Sequence, residues 1–554
     1  MTGADRRTLW LEAIALCALA VAVRLPHLDH PPIYDELYHV LSGRSWSTEG
    51  TLRIADGEYR RSWMFSAITG WMFSVFGESL TVARVVPLMA GVGLVAALFA
   101  WTRAVAGRRA AWIAGLFLCL SPQAIALSQF IRFYTLHALA FFAGAISIYF
   151  LVARLGRPGI LIHKPFGSAA WAASAVLSLS FAVHLQITTA IGLAGLFVWA
   201  ALVLGPKGLF AMRDNPALRW GAAAIAVGGI VLVALAFHGG TMARLWKVYN
   251  EQALWAQGMG FRFYHRLFAG SFPTFWSLLP LAALVAFVRR PGATLFCACI
   301  LIVAFSFHSF GGMKAARYVF YTTPFLFAIW GMALAELVPV IGQLLREATA
   351  RAAGLGLPSR MRTLLPGMAV VATGLFLVGS NRAFLESYRI LRYGPIDLHP
   401  GYSVDWAAAS QVLKPIADRS DVLITTNALA AIYYLGDYDF DMNASHLAEA
   451  DPLRREFTVD HETGRPAIST RRSLERVIAC HASGLFVTDR WRWHNARTGI
   501  AAQAARFLSA HTVAVDLPRE WNLLAFTWTH SPATPISECP ALRGAPGRYP
   551  ETEG

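Results

Sequence analysis

Apolar runs of about twenty residues, the length a helix needs to cross a hydrocarbon layer, recur from Leu9 to Ser380 with short Arg-rich stretches between them. The pattern predicts a polytopic α-helical membrane domain over residues 1–380. After that point polar and charged residues return at globular frequency, and residues 381–554 read as a separate soluble domain. Within it, 422–426, 485–488 and 523–528 are short apolar strands, with helical stretches at 428–434 and 498–508 between them. That alternation predicts a small α/β domain. No glycine-rich phosphate loop follows any of the strands, so a nucleotide site there is unsupported.

Arg6 and Arg7 precede the first run, 9–25, and place the N-terminus in the cytoplasm. No small-residue cleavage site follows, so this run is a retained span. The next stretch, residues 26–82, is then the first outer loop. Within it, 62–76 is apolar and aromatic but short, and its basic start predicts a helix lying on the outer membrane surface. Read instead as a second short span, it would invert everything after it. Under the surface-helix reading the runs 83–101, 110–127, from 136 onward, 169–184, 188–204, 220–237, 274–288, 293–307, 319–337 and 364–380 alternate in direction. The Arg-dense loops around Arg103, Arg108, Arg157, Arg213, Arg219, Arg289, Arg290, Arg360 and Arg362 then all fall on the cytoplasmic side. The result is about eleven spans and an extracytoplasmic C-terminal domain.

A chain of 554 residues that is 56% hydrophobic and 15% charged is not a soluble enzyme. Its net charge of +15, from 48 basic and 33 acidic residues, sits in the short loops. That is topology information, and no nucleic-acid partner is read from it. Of six cysteines, Cys17, Cys119, Cys297 and Cys299 fall in apolar runs as small packing residues. Cys480 and Cys539 lie in the C-terminal domain, where they either pair or remain two free thiols.

The stretch Pro31-Pro32-Ile33-Tyr34-Asp35-Glu36-Leu37-Tyr38-His39 follows the first span. The prolines hold the approach extended, and a helix starts at Tyr34 or Asp35 with acidic side chains in its first turn. Asp35 and His39 then share a face one turn apart, supplying two of the ligands a divalent metal cation would need. The same letters also fit an acidic helix start in a solvated loop. On the same predicted side lie Arg60, Arg61, Arg132, Tyr134, Lys314, Arg317 and Tyr318. Taken singly, the arginines fit anchors of helix ends at lipid headgroups, and the tyrosines fit interfacial aromatics. The predicted membrane interior holds Glu12 and Glu336 near its cytoplasmic face, whereas an ion-coupled transporter needs ionisable groups at the midplane. A carboxylate opposite guanidinium groups suits a different chemistry, with one substrate a lipid phosphate. The arginines stabilise the phosphate as it leaves, and the carboxylate takes a proton from the attacking group.

Four stretches carry a resemblance: Tyr34-Asp35-Glu36; Phe76-Gly77-Glu78-Ser79-Leu80-Thr81-Val82-Ala83-Arg84; Ser128-Gln129-Phe130-Ile131-Arg132-Phe133-Tyr134; and Lys314-Ala315-Ala316-Arg317-Tyr318 with Pro324. In their order the chain, over about residues 8 to 335, resembles the membrane-embedded superfamily C glycosyltransferases. The likeness is to the protein O-mannosyltransferase and lipid A aminoarabinose transferase branch. It implies inverting transfer of a sugar from a polyprenyl-phosphate donor to a lipid, glycan or protein acceptor. The implied place is the outer face of a bacterial plasma (inner) membrane. Asp35 matches the acidic catalytic residue, and Glu36 stands beside it as a second acid or metal partner. Arg60, Arg61, Arg132, Lys314 and Arg317 are implied ligands of the donor phosphate, and Tyr34, His39, Tyr134 and Tyr318 line the substrate. Where the family has a proline-rich approach to the surface helix, this chain has Tyr59-Arg60-Arg61-Ser62-Trp63. A flippase or transporter of lipid-linked substrates is the alternative, predicting inverted repeats and midplane charges. A membrane anchor displaying a binding domain is a further one, and it has no need of Asp35.

Overall fold

Helices of membrane length form where the apolar runs predict them. The structure, a computed structural model, describes residues 3–155, 165–214, 260–351, 374–394, 404–442, 457–460, 462–495 and 499–531, with Met368, Ala372 and Cys539. The first helices are α1 (Gly3–Ala22), α2 (Tyr34–Glu49), α3 (Trp63–Phe76) and α4 (Leu80–Ala106). They are followed by α5 (Arg108–Cys119), α6 (Pro122–Ser128) and α7 (Tyr134–Leu155). Further long helices are Pro165–Leu185, Thr189–Asp214, Pro291–Phe310 and Thr323–Arg351.

Among the described residues five helices are long and apolar enough to cross a membrane, or six if α5 and α6 form one broken span. The expectation of about eleven is therefore met only in part. The expected span 220–237 lies outside the described residues, as do 364–367, 369–371 and 373 of the expected span 364–380. Thr189–Gly205 and Leu279–Arg289 are apolar but shorter, and α1 carries Asp5, Arg6, Arg7 and Glu12 in its first half. The run 110–127 is not straight. It bends by 60° between α5 and α6, where Pro122 removes a helical N–H and opens a new helix.

By packing, the chain divides into two units: Met1–His27 with Pro87–Pro395, and Leu28–Val86 with Ile396–Gly554. This differs from the expected boundary at residue 380. The helix Arg382–Tyr393 belongs to the first unit, where Ser387 Oγ donates to the Leu120 carbonyl at 2.5 Å. Residues Leu28–Val86, conversely, fold with the C-terminal residues.

In the first unit, α1 is tied at two levels. Glu12 pairs with Arg103 at 2.9 Å and with Arg108, neutralising a carboxylate inside the bundle. Further along, buried Arg24 donates to Ser128 Oγ at 3.0 Å and to the carbonyls of Ala20 (3.0 Å) and Cys119 (3.2 Å). Gln129 donates to the carbonyls of Arg24 and Pro26 at 3.0 and 2.6 Å. The far end of α4 therefore meets the first half of α1, and the α5–α6 break meets its last turn. Helices approach closely through small residues: a Cβ on Gly331 would stand 2.6 Å from the Ala110 carbonyl oxygen of α5.

The second unit is a seven-stranded sheet with helices on both faces. Its strands, after a small β1 (Arg53–Ile54) and β2 (Gly57–Glu58) hairpin, are β3 (Val422–Thr425), β4 (Phe440–Asp441), β5 (Phe457–Val459), β6 (Pro466–Ile468), β7 (Ser483–Asp489), β8 (Val513–Ala514) and β9 (Leu523–Thr529). They lie in the order β5-β6-β4-β3-β7-β9-β8, parallel from β6 to β7 and antiparallel at both edges. Alternation along the strands builds two cores. Val422, Ile424 and Phe486 face the helices Arg471–Cys480 and Ala502–His511. Leu423, Leu485 and Val487 face the other way, into a core completed by Trp406, Leu413 and Leu429 and by Leu37, Tyr38, Leu41, Ile54 and Tyr59. Cys480 and Cys539 form a disulfide with Cα atoms 5.6 Å apart, resolving the choice between a pair and two thiols.

Candidate active site

The acidic stretch folds as its prolines and carboxylates predict. Ile33 is extended (φ −84°, ψ 162°) and caps α2, whose first residue is Tyr34. Asp35 is half-buried on the first turn, and Glu36 is fully buried beneath it. Glu36 Oε2 accepts from the Ile33 amide at 2.9 Å, and both carboxylate oxygens accept from Arg84 at 3.1–3.3 Å. The same guanidinium donates through Nη1 to the carbonyls of Leu28 (2.8 Å) and His30 (2.6 Å). Glu36, expected as a second acid or metal partner, is thus enclosed in an ion pair with both side chains at 0% exposure.

His39 is also buried. Its Nδ1 lies 2.7 Å from Ser66 Oγ, and its ring meets those of Tyr59 and Phe65 edge-on at 5.4 and 4.8 Å. Among the described residues no group of three His, Cys, Asp or Glu gathers where a metal ion could bind. The pair Asp35 and His39 supplies only two of the ligands a metal ion would need. Tyr34 packs edge-on against Tyr38 at 5.5 Å, with the guanidinium of Arg492 over its ring at 5.7 Å. Tyr38 stacks on Tyr59 at 4.7 Å and donates its hydroxyl to Glu462. Burial, reinforced for Tyr34 by the carboxylates of Asp441 and Glu462, holds both phenols well above their ordinary pKa. Arg60 is 78% exposed and paired with Glu58 at 2.8 Å, and Arg61 is exposed beside it.

The first unit gathers the other expected residues at one end of its helices. Arg132 is buried in the turn before α7, its guanidinium 5.4 Å from the Phe133 ring. Arg317 lies on a short 3-10 helix, Ala316–Thr322, with its guanidinium over Tyr134 at 5.8 Å and over Tyr318 at 5.7 Å. The Tyr134 and Tyr318 rings are 6.5 Å apart. Gln123 of α6 fixes this turn by donating to the Ala316 carbonyl at 2.7 Å. Lys314 is committed elsewhere: its ammonium donates to the carbonyls of Ser309 (2.9 Å) and Gly311, closing the end of Pro291–Phe310. Arg317, Tyr134 and Tyr318 thus come together as a cationic and aromatic cluster, with Arg132 in the turn that leads into Tyr134.

Arg84, Gln123 and Arg24 carry much of this order and were not predicted to. Arg84 and Arg24 had a readable signal, an arginine at the end of an otherwise apolar run, but nothing local names a partner 48 residues away.

Compared by sequence, the chain matches no family model and no curated protein. Compared by structure, it is similar to ArnT from Cupriavidus metallidurans in the apo state, at 15% identity and a TM-score of 0.59 over 96% of this chain and 100% of that one. It is equally similar to the same protein bound to undecaprenyl phosphate (15%, TM-score 0.58, 97% and 100%). The archaeal oligosaccharyltransferase AglB from Archaeoglobus fulgidus, in complex with an inhibitory peptide and a dolichol-phosphate, also matches (13%, TM-score 0.53, 97% and 76%). These likenesses concern the fold: the chain shares the architecture of ArnT and AglB over most of its length.

Proposed function

We propose that the protein is an integral-membrane glycosyltransferase that moves a sugar from a polyprenyl-phosphate donor to an acceptor on the outer face of a bacterial plasma membrane. The observation that carries this reading is the cluster of Arg317, Tyr134 and Tyr318, with Arg132 in the adjoining turn, found in a fold whose neighbour ArnT is bound to undecaprenyl phosphate. Two guanidinium groups among aromatic rings suit a lipid phosphate, since low local polarity strengthens their hold on its charge. Arg60, Arg61 and Lys314 have a weaker claim to that phosphate, because Arg60 is solvent-screened by Glu58 and Lys314 serves backbone carbonyls.

In this reading an acceptor hydroxyl or amine attacks the anomeric carbon from the face opposite the phosphate, with inversion. The new bond to that carbon forms as the carbon–oxygen bond to phosphate breaks. The acceptor proton passes to Asp35, and the bonding electrons leave with the polyprenyl phosphate, stabilised by Arg132 and Arg317. Tyr34 next to Asp35, and Tyr134 and Tyr318 next to Arg317, are the proposed substrate contacts, whereas His39 is enclosed against Ser66. The disulfide Cys480–Cys539 supports an oxidising, extracytoplasmic location for the C-terminal domain.

The test is transfer of labelled sugar by membranes containing the full chain. Arg317→Gln is expected to raise KM for the polyprenyl-phosphate donor, or lower kcat/KM, by about tenfold or more, the value of a lost charge-assisted contact. An unchanged kcat/KM removes Arg317 from the donor site. A wild-type chain that moves lipid-linked sugars across the bilayer without transferring them would replace this reading with a flippase.

A further inference from the structure

Asp35 is presented by a short piece of chain whose order does not come from the helix it starts. The residues before it are a turn ending at Asp29 and then a non-helical approach, 30–33, containing Pro31 and Pro32. What fixes them is Arg84, on the first turns of α4. Its Nη1 holds the carbonyls of Leu28 and His30, while Nη2 and Nε hold Glu36, whose Oε2 in turn holds the Ile33 amide. One guanidinium therefore closes a loop around residues 28–36 with Asp35 on its rim. Both charges of the pair are fully enclosed, so Glu36 has no surface from which to meet an acceptor.

We propose that Arg84 is a positioning residue that, through Glu36, sets the orientation of the Asp35 carboxylate, and that Glu36 is its partner in this lock. This rests on the transferase reading above only for the meaning of Asp35. A buried pair is strongly upset by removal of one charge, whereas replacing both by neutral groups of like shape is much better tolerated. That asymmetry separates a lock from a pair of residues that touch substrate.

The experiment compares the full-length protein with Arg84→Gln, Glu36→Gln and the double variant Glu36→Gln/Arg84→Gln, in labelled-sugar transfer and in hydrogen exchange. Arg84→Gln is expected to lower kcat by about tenfold or more with donor KM within about threefold, and the double variant to regain most of that loss. A double variant no better than the worse single, or a change confined to donor KM, overturns the lock and makes Arg84 or Glu36 a substrate ligand. The Ile33 and Glu36 amides are expected to exchange about tenfold faster or more in Arg84→Gln, with β3 and β7 amides unchanged. Equal exchange in wild type and variant, or loss of protection throughout the sheet, overturns the proposal even if no transfer is seen. Failure of the transferase reading would instead show as a wild-type chain inactive with every donor.

Discussion

Glu36 and Asp35 are adjacent carboxylates with opposite surroundings, and that contrast separates their roles. Asp35 is half-buried at the start of α2, while Glu36 is wholly enclosed with Arg84. Glu36→Ala leaves the Arg84 guanidinium charged and enclosed without its counter-ion, which costs about 3–5 kcal/mol and is expected to lower the melting temperature of the detergent-solubilised protein. A variant melting as wild type does would mean that water reaches Arg84. Tyr38→Phe tests a smaller effect, since Glu462 loses its hydroxyl donor; a destabilisation of about 1–3 kcal/mol is expected in the same measurement. At this scale the sequence was informative about position along the helix and silent about partners. The helix start at Tyr34 and the shared face of Asp35 and His39 follow from proline and charge placement. The pairing of Glu36 with Arg84, and of His39 with Ser66, joins residues 48 and 27 apart, which no local pattern encodes.

The α2–α3 pair shows how an element is placed by what it lacks. A Cβ on Gly70 would stand 2.6 Å from the Gly43 carbonyl oxygen and 2.8 Å from the Trp46 side chain, so the two helices cross at backbone contact. Gly70→Val is therefore expected to cost about 1–3 kcal/mol or more by overpacking, read as a lower melting temperature, whereas Gly292→Val, where a Cβ meets nothing within 4 Å, serves as the control. The opposite side of α3 exposes Ile68, Trp71, Val75 and Phe76, the composition expected of a helix that rests in a lipid interface. Its limits were legible because apolar length and a basic start mark them. Other elements were not. An apolar run has the same hydropathy straight or bent, so the break at Pro122 was hidden within 110–127. β4, β6 and β8, at two or three residues each, are too short to show a period.

At the scale of the whole chain, Leu28–Val86 and the C-terminal domain are one folded body. Leu37, Tyr38, Leu41, Ile54 and Tyr59 share a core with Trp406, Leu429, Leu485 and Leu523, and the amides of Asp56 and Gly57 both donate to the Thr463 carbonyl at 2.9 and 2.7 Å. The composition change near residue 380 suggested a domain added after the membrane part, because sequence reports where polar residues resume and not what they pack against. Deleting residues 404–554 is accordingly expected to abolish transfer and expose residues 34–60 to protease, rather than merely change the acceptor. Retained activity would make the C-terminal domain an accessory. Removing the disulfide with Cys480→Ser is expected to destabilise the same body by about 2–5 kcal/mol, seen as a lower midpoint of unfolding under oxidising conditions only. The central claim is that Asp35 is the proton acceptor of a sugar transfer from polyprenyl phosphate. Its most direct test compares wild type and Asp35→Asn, at matched expression, in transfer of labelled sugar from the membranes' own polyprenyl-phosphate pool. The account predicts transfer by the wild type and a fall of about a hundredfold or more in the variant, with unchanged melting temperature. Equal activity in the two would contradict it.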